Sequence, residues 1–244
     1  MFRYSLQEIA SITKSELIGT SHAIISQIIL DSRTFRVNNE SIFLAISGKQ
    51  HNGHKFISEM YNKGCRNFWV QQNETYTQYP DANYIISESV IQDFQSIINH
   101  YRTQFTFPII GITGSNGKTI VKEWLYHVLK QSNAVVRSPK SYNSQIGVPL
   151  SLMLLDNQYQ IAIIEAGISL CNEMGNLEKM IHPSIGIFTN IGDAHQENFE
   201  TLQQKVSEKM QLFTHCKQLI YCADYTEIDN EARKLTNTEL IGWS

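Results

Sequence analysis

The 244-residue sequence is short of several things, and each shortage narrows what the protein can be. Its four cysteines, Cys65, Cys171, Cys216 and Cys222, form no C-x-x-C pair and no metal-finger spacing, so they read as buried free thiols in a reducing cytoplasm. It has no strong charge of either sign: the net charge of −3 argues against a nucleic-acid binder that works by bulk electrostatics. No apolar run approaches the ~20 residues that cross a bilayer, so no membrane insertion is expected. The amino terminus carries Arg3 and Glu8 where a secretory signal needs an apolar core, and Ser5-Leu-Gln-Glu8 reads instead as a capping box opening a helix. Internal repeats and low-complexity segments are also lacking. What is present is apolar content of 42%, enough for ordinary cores, in a chain long enough for one large or two small domains. A cytoplasmic globular protein is the expectation.

Helical and strand-like patterns alternate along the chain. Strand candidates are Ala23–Leu30, Ile42–Ile46, Asn67–Val70 and Tyr84–Ser87. One helix spans about 54–62 and stops at Gly64, and a second, about 90–104, repeats Val90, Ile91, Phe94, Ile97, Ile98 and Tyr101 near a 3.6-residue period. Thr106-Phe-Pro108 breaks that helix and divides a small mixed α/β domain, 1–106, from a second domain, 107–244. In the second, strands at 109–112, 134–137, 161–164, 185–191, 218–222 and 239–243 alternate with helices at about 118–130, 173–181, 201–213 and 228–235. Residues 146–155 are compatible with helix or strand, with Gly147 and Pro149 favouring a helix start. Such alternation implies βαβ units and a mainly parallel, doubly wound sheet, whose ligands bind at the carboxyl ends of the strands.

The most informative stretch is Pro108-Ile-Ile-Gly-Ile-Thr-Gly-Ser-Asn-Gly-Lys-Thr119. An apolar strand runs into a glycine turn and then a helix, the order in which chains grip nucleotide phosphates. Glycines let backbone N–H groups converge on phosphate oxygens, and the helix start adds partial positive charge. Lys118 can reach the β/γ-phosphates and the Thr119 hydroxyl can ligate Mg²⁺. The spacing departs from the strict P-loop, because Ile112 stands where a glycine is expected and Gly111 comes one residue early. Glu165 ends an apolar strand, where a carboxylate is costly to leave unpaired and nucleotide-bound Mg²⁺ is a natural partner. His195 follows another strand end, but a lone histidine is more often a surface or satisfied core residue. Lys209 shares its helix with Val206, Met210 and Phe213; by its chemistry alone it reads as a snorkelling surface lysine.

Gly114-Ser-Asn-Gly-Lys-Thr119, Ile164-Glu-Ala-Gly167, Thr189-Asn-Ile-Gly-Asp-Ala-His195 and Glu208-Lys209 together resemble the Mur ligase family, the ATP-dependent amide-bond ligases of peptidoglycan precursor synthesis. Asn143-Ser-Gln-Ile-Gly-Val-Pro-Leu-Ser151 is similar to a motif of the branch that adds D-alanyl-D-alanine. Asp31-Ser-Arg33, Ile42-Phe-Leu-Ala45 and Asn52-Gly-His-Lys-Phe56 resemble that branch's uridine-nucleotide domain.

The resemblance implies that ATP phosphorylates the carboxylate of UDP-N-acetylmuramoyl-tripeptide and that the amine of D-Ala-D-Ala attacks the acyl phosphate. It implies catalytic roles for Lys118, His195 and Lys209, and ATP contacts from Thr113, Gly114, Ser115, Asn116, Gly117, Lys118, Thr119 and Asn190. The tripeptide substrate would meet Asp31, Ser32, Arg33, His54 and Asn143. Thr119 and Glu165 would hold one Mg²⁺; His195 and Lys209, carbamylated, would hold a second. Lys140-Ser141 departs from the family's Gly-Asn and Ile120 from a common threonine, but neither removes an implied ligand. Mur ligases also carry a third domain that nothing in these residues supplies. The chain therefore reads as the N-terminal part of a longer enzyme, itself sometimes fused to an alanine racemase, and is expected not to ligate alone. The alternatives are a diamino-acid-adding or folylpolyglutamate ligase, or a P-loop module that binds nucleotide without ligating.

Overall fold

The computed structural model describes residues 1–20, 22–48, 52–192 and 198–244. Contacts divide the chain into two compact units, Met1–Tyr101 and Arg102–Ser244.

The first unit opens on α1 (Leu6–Thr13). Its start is closed reciprocally, as the sequence predicts: Ser5 Oγ accepts from the Glu8 amide at 3.2 Å, and Glu8 Oε2 accepts from the Ser5 amide at 2.7 Å. A cap of this kind contributes about 1 kcal/mol. Five strands, β2 (Glu16–Ile18), β4 (Gln27–Ile29), β5 (Ser41–Leu44), β6 (Asn67–Gln71) and β7 (Asn83–Ser87), form a sheet in the order β2-β7-β6-β5-β4. Only the β2–β7 pairing is antiparallel. β1 (Tyr4–Ser5) and β3 (Ile24–Ile25) pair separately.

The single strand expected over 23–30 is two strands. The amides of Ser26 and Gln27 both donate to the carbonyl of Glu40, at 2.9 and 3.1 Å, and that kink passes the chain from one sheet to the other. β2 is too short, at three residues, for its alternation to show in the sequence. Phe43, Phe68, Val70 and Tyr84 pack over Ile57 and Met60 of α2 (Ile57–Asn62), which a 3₁₀ turn at Gly53–Phe56 precedes. The apolar face of α3 (Val90–Arg102) is buried through Phe94, Ile97 and Ile98, each worth about 1.5–3 kcal/mol of transfer free energy. The helix stops two residues earlier than its periodicity predicts, where the Arg102 guanidinium takes the carbonyl of Phe105 at 2.6 Å.

The second unit is a six-stranded sheet, parallel throughout, ordered β13-β12-β11-β8-β10-β9. Its strands are β8 (Ile109–Thr113), β9 (Val135–Arg137), β10 (Ile161–Glu165), β11 (Ile185–Phe188), β12 (Gln218–Cys222) and β13 (Glu239–Trp243). Its helices are α4 (Lys118–Leu129), α5 (Gly147–Leu152), α6 (Met174–Ile181), α7 (Leu202–Met210) and α8 (Thr226–Ala232). β8 lies inside the sheet; the chain crosses from it to the edge strand β9, steps back to β10, and then passes to the other side of β8 at β11. Sheets of this kind bind ligands at the carboxyl ends of the strands where that direction reverses. Ile110, Ile112, Val135 and Ile163 meet Val121, Leu125 and Leu129 of α4 on one face.

On the sheet, Gly111 of β8 stands beside Gly186 of β11. A Cβ at Gly186 would lie 2.4 Å from the Phe213 ring, and one at Gly111 would lie 2.9 Å from Pro183. The missing methyls form a notch that receives the 3₁₀ turn Gln211–Phe213 following α7. The ambiguous run 146–155 is helical at Gly147–Leu152, with Ser144 Oγ accepting from the Gly147 amide at 3.2 Å. β11 ends at Phe188, three residues short of expectation, because Thr189 and Asn190 turn to bond the glycine loop. All four cysteines are free; Cys65, Cys216 and Cys222 are buried and Cys171 is half-buried. No helix among the described residues is long and apolar enough to cross a membrane.

Candidate functional site: a glycine loop, a buried glutamate and buried lysines

β8 carries its apolar run to Thr113, and the chain then turns through Gly114–Gly117 into α4. Gly114 has φ +146°, and a Cβ there would meet Thr189 Oγ1 at 2.0 Å, so only glycine fits. The segment after β11 holds the loop in shape. The Ser115 amide donates to Asn190 O at 2.9 Å and the Asn116 amide to Asn190 Oδ1 at 2.9 Å. Thr189 Oγ1 donates to Asn116 O at 2.6 Å, and Ser115 Oγ exchanges bonds with Gly192 O and N at 3.1 and 3.0 Å. Asn190 thus shapes the loop with both its backbone and its side chain. Among the described residues no side chain caps α4 at Gly117, and Thr113 Oγ1 is buried without a hydrogen-bond partner.

Lys118, the first residue of α4, folds back so that Nζ donates to Gly114 O at 2.8 Å and Ser115 O at 3.3 Å. Burial pushes its pKa down, against the upward pull of Glu165. One residue on, Thr119 Oγ1 donates to Glu165 Oε2 at 2.9 Å. Glu165 ends β10, only 1% exposed, and its other oxygen accepts from Asn143 Nδ2 at 2.7 Å. Lys122 Nζ lies 3.6 Å from Glu165 and also donates to the carbonyl of Lys140. Lys140 itself takes a left-handed φ of +50°.

Lys209 on α7 is 3% exposed, not the surface lysine its chemistry alone predicts. Its Nζ lies 3.5 Å from Gly114 O. Burial, then the charges of Lys118 and Lys205, lower its pKa from 10.5 to about 7. Lys205, one turn earlier and fully buried, donates to Gly192 O at 2.5 Å. Lys122 and Lys205 stand outside the motifs that mark the other site residues in the sequence. The available signal was spacing: 118/122 on α4 and 205/209 on α7 are each four apart, so each pair shares one helix face.

The structure therefore brings Thr113, Gly114, Ser115, Asn116, Gly117, Lys118, Thr119, Asn143, Glu165, Asn190 and Lys209 together at the carboxyl ends of β8, β10 and β11. His195 lies outside the described residues.

The remaining candidates are in the first unit. Leu30, Asp31, Ser32, Arg33, Phe43, Phe56 and Glu59 line a cavity of about 480 Å³. Arg33 Nε and Nη2 donate to Asp31, the shortest contact at 2.6 Å, and those bonds hold the Asp31 carboxyl at about 2. Lys63 Nζ closes the same corner by donating to Ser32 O at 2.9 Å and to Glu59 at 2.6 Å. His54 does not line this cavity. It is 3% exposed; its Nε2 accepts from the Gln71 amide at 2.9 Å, which leaves Nδ1 to donate to Asn52 Oδ1 at 3.0 Å. Burial lowers its pKa.

Comparison with known proteins identifies the family. A family model described as the Mur ligase middle domain matches residues 112–242. The chain is 28% identical over 244 residues to the UDP-N-acetylmuramoyl-tripeptide–D-alanyl-D-alanine ligase of Haemophilus influenzae, covering 97% of this chain and 52% of that protein. Among solved structures it is similar to MurF from Acinetobacter baumannii, with a TM-score of 0.86 at 22% identity over 100% of this chain and 54% of that one, a likeness of fold. It is also similar to the MurF ligase of Thermotoga maritima in complex with ADP, with a TM-score of 0.76 at 27% identity, covering 88% of this chain and 50% of that one. The chain spans about half the length of the relatives it matches. With more than half its residues matching the family's middle domain, the chain belongs to the Mur ligase family.

Proposed function

We propose that this chain supplies the nucleotide site and the UDP-muramoyl-peptide site of an ATP-dependent ligase that joins D-Ala-D-Ala to UDP-N-acetylmuramoyl-tripeptide. The observation that carries the reading is Glu165. Its two carboxylate oxygens are held by Thr119 from the nucleotide loop and by Asn143 from the motif that resembles the D-alanyl-D-alanine-adding branch.

The site suits a nucleoside triphosphate. The start of α4, the Gly114 turn at φ +146° and the half-buried Lys118 form a cradle for phosphate, and among the described residues neither the helix start nor the buried Thr113 hydroxyl has a side-chain partner. Thr119 Oγ1 and Glu165 Oε2, 2.9 Å apart, are oxygen donors of the kind Mg²⁺ takes. Mg²⁺ bound there would offset charge between the γ-phosphate and an incoming carboxylate. Lys118 does the same from the loop side.

In the proposed reaction a carboxylate oxygen of the tripeptide forms a bond to the γ-phosphorus and ADP departs. The amine of D-Ala-D-Ala then attacks the acyl carbon; the amide forms, phosphate leaves and the amine gives up its proton. A Lys209 amine with a pKa near 7 is partly neutral at physiological pH and can add CO₂, losing a proton to become a carbamate anion. As a carbamate it would share a second Mg²⁺ with His195, a role assigned by resemblance alone.

In the first unit, Asp31, Ser32 and Arg33 would receive the uridine diphosphate in the 480 Å³ cavity, with Arg33 exchanging Asp31 for phosphate. His54 would act through position, holding the Asn52 turn. Substrates of this kind place the work in the cytoplasm.

Titration calorimetry tests the reading. The chain should bind UDP-muramoyl-tripeptide and Mg·ATP, and Lys118→Ala should weaken only the nucleotide, by about 100-fold or more. Absence of any heat with the UDP-linked peptide, or equal nucleotide affinity in the variant, would sink it.

A further inference from the structure

At the amino ends of β11 and β12, opposite the glycine loop, two histidines converge on one buried carboxylate. Glu178 lies in the last turn of α6, His182 caps that helix, and His215 lies in the turn that leads into β12. His215 Nδ1 is 2.8 Å from Glu178 Oε1 and His182 Nδ1 is 3.4 Å from the same oxygen. The two rings have centroids 5.2 Å apart. One ligand atom from each residue falls within a 4.8 Å span.

We propose that Glu178, His182 and His215 form a binding site for a zinc-class transition-metal ion. The donor set is the first argument: two imidazoles and a carboxylate suit Zn²⁺, Co²⁺ or Ni²⁺ and are a poor match for Mg²⁺ or Ca²⁺. Geometry is the second. Bonds of about 2.1 Å in a tetrahedron put ligand atoms roughly 3.4 Å apart, and both Glu178–His contacts already lie at or below that separation. Only the spacing between the imidazoles must close, and both rings are more than half exposed and free to turn.

Backbone order is the third argument. The His182 amide donates to Glu178 O at 2.7 Å, fixing their register, with His182 at φ +43°. Cys216 Sγ donates to Pro183 O at 3.2 Å and the Lys217 amide to Ser184 O at 2.9 Å, so the turns bearing the two histidines are already tied together. The three side chains leave a fourth position toward solvent, open to water or an added ligand. Bound there, the ion staples the end of α6 to the start of β12, a structural role at the end of the sheet away from the nucleotide.

Titrating the 244-residue chain with CoCl₂ and following the visible d–d absorption tests this directly, with ZnCl₂ calorimetry alongside. One equivalent should bind at micromolar concentration with the intense bands of four-coordinate cobalt. His182→Ala and His215→Ala should each weaken binding at least about tenfold, and the double variant should abolish it. Saturating ZnCl₂ should raise the Tm of the parent chain by a few degrees and leave the double variant unmoved. Because both imidazoles are exposed, the variants should keep the parent far-UV spectrum and their Mg·ATP affinity. Absence of cobalt bands, six-coordinate weak bands only, or equal binding by the double variant would overturn the proposal.

Discussion

The two ends of the parallel sheet each gather nitrogen-bearing side chains around one buried glutamate, and they do so in opposite ways. At the carboxyl end, Glu165 is 1% exposed and the amines nearby are sunk with it: Lys122 and Lys205 fully, Lys209 at 3%. At the amino end, Glu178 is also largely buried, but its partners His182 and His215 are more than half exposed. The first arrangement keeps charges out of water in fixed positions, where a phosphate can claim them. The second leaves its nitrogen donors at the surface, where they can rotate onto an ion. Burial is costly for lysine and cheap for a half-exposed imidazole, so the carboxyl end must be held by more bonds, and it is.

The contrast can be broken most forcefully at Glu165. Glu165→Ala removes the acceptor of Thr119 and Asn143 and one of the two carboxylates beside the fully buried Lys122, the other being Glu123 at 3.5 Å, and such a loss costs about 3 kcal/mol. Urea unfolding should show that loss, whereas Glu178→Ala should cost less because its partners can turn to water. Next in size is Gly114→Ala: a Cβ 2.0 Å from Thr189 Oγ1, on a φ of +146°, should destabilise by about 1–3 kcal/mol and weaken nucleotide binding with it.

The pH dependence sharpens the comparison further. Lys209 titrates near 7 in the folded chain and at 10.5 as an ordinary lysine. Between those values the unfolded chain holds a proton that the folded chain does not, so stability rises with pH across that window and is flat from this group below and above it. Lys209→Met should remove that rise and stabilise the protein most at and below neutral pH; unfolding midpoints measured from pH 6 to 10 check it. The smallest effect belongs to the other end of the sheet. Without metal, His182→Ala should change stability by less than about 1 kcal/mol, since exposed pairs contribute little.

Much of this was readable from the chain. The order strand, glycine loop, helix fixed the place of Lys118 and Thr119, and an acid after four apolar residues fixed Glu165. The capping box at Ser5 and Glu8 and the period of α3 were local signals that tertiary structure left alone. What escaped reading depended on partners far along the chain. The break at Ser26 needs the Glu40 carbonyl, and the early end of β11 needs a loop more than 70 residues earlier. His54 could be matched to a motif, but its burial and the saturation of both ring nitrogens by Gln71 and Asn52 are visible only in three dimensions. Lys209 was legible only through resemblance, because a lysine near apolar residues on a helix usually reaches water, and here α7 is seated too deep for that.

That seating has a cause in what two residues lack. Gly111 and Gly186 sit side by side; Gly186 accepts the ring of Phe213, one turn beyond Lys209, and Gly111 accepts Pro183 and the tip of Leu212. The sheet thus acts as a gauge for the helix: shim it by a single carbon at Gly186 and α7 lifts, drawing an amine away from the loop without touching any group that meets a substrate. Tolerance at position 186 is therefore set by ångströms of clearance, and a change there would surface as a fault at the opposite end of the strand.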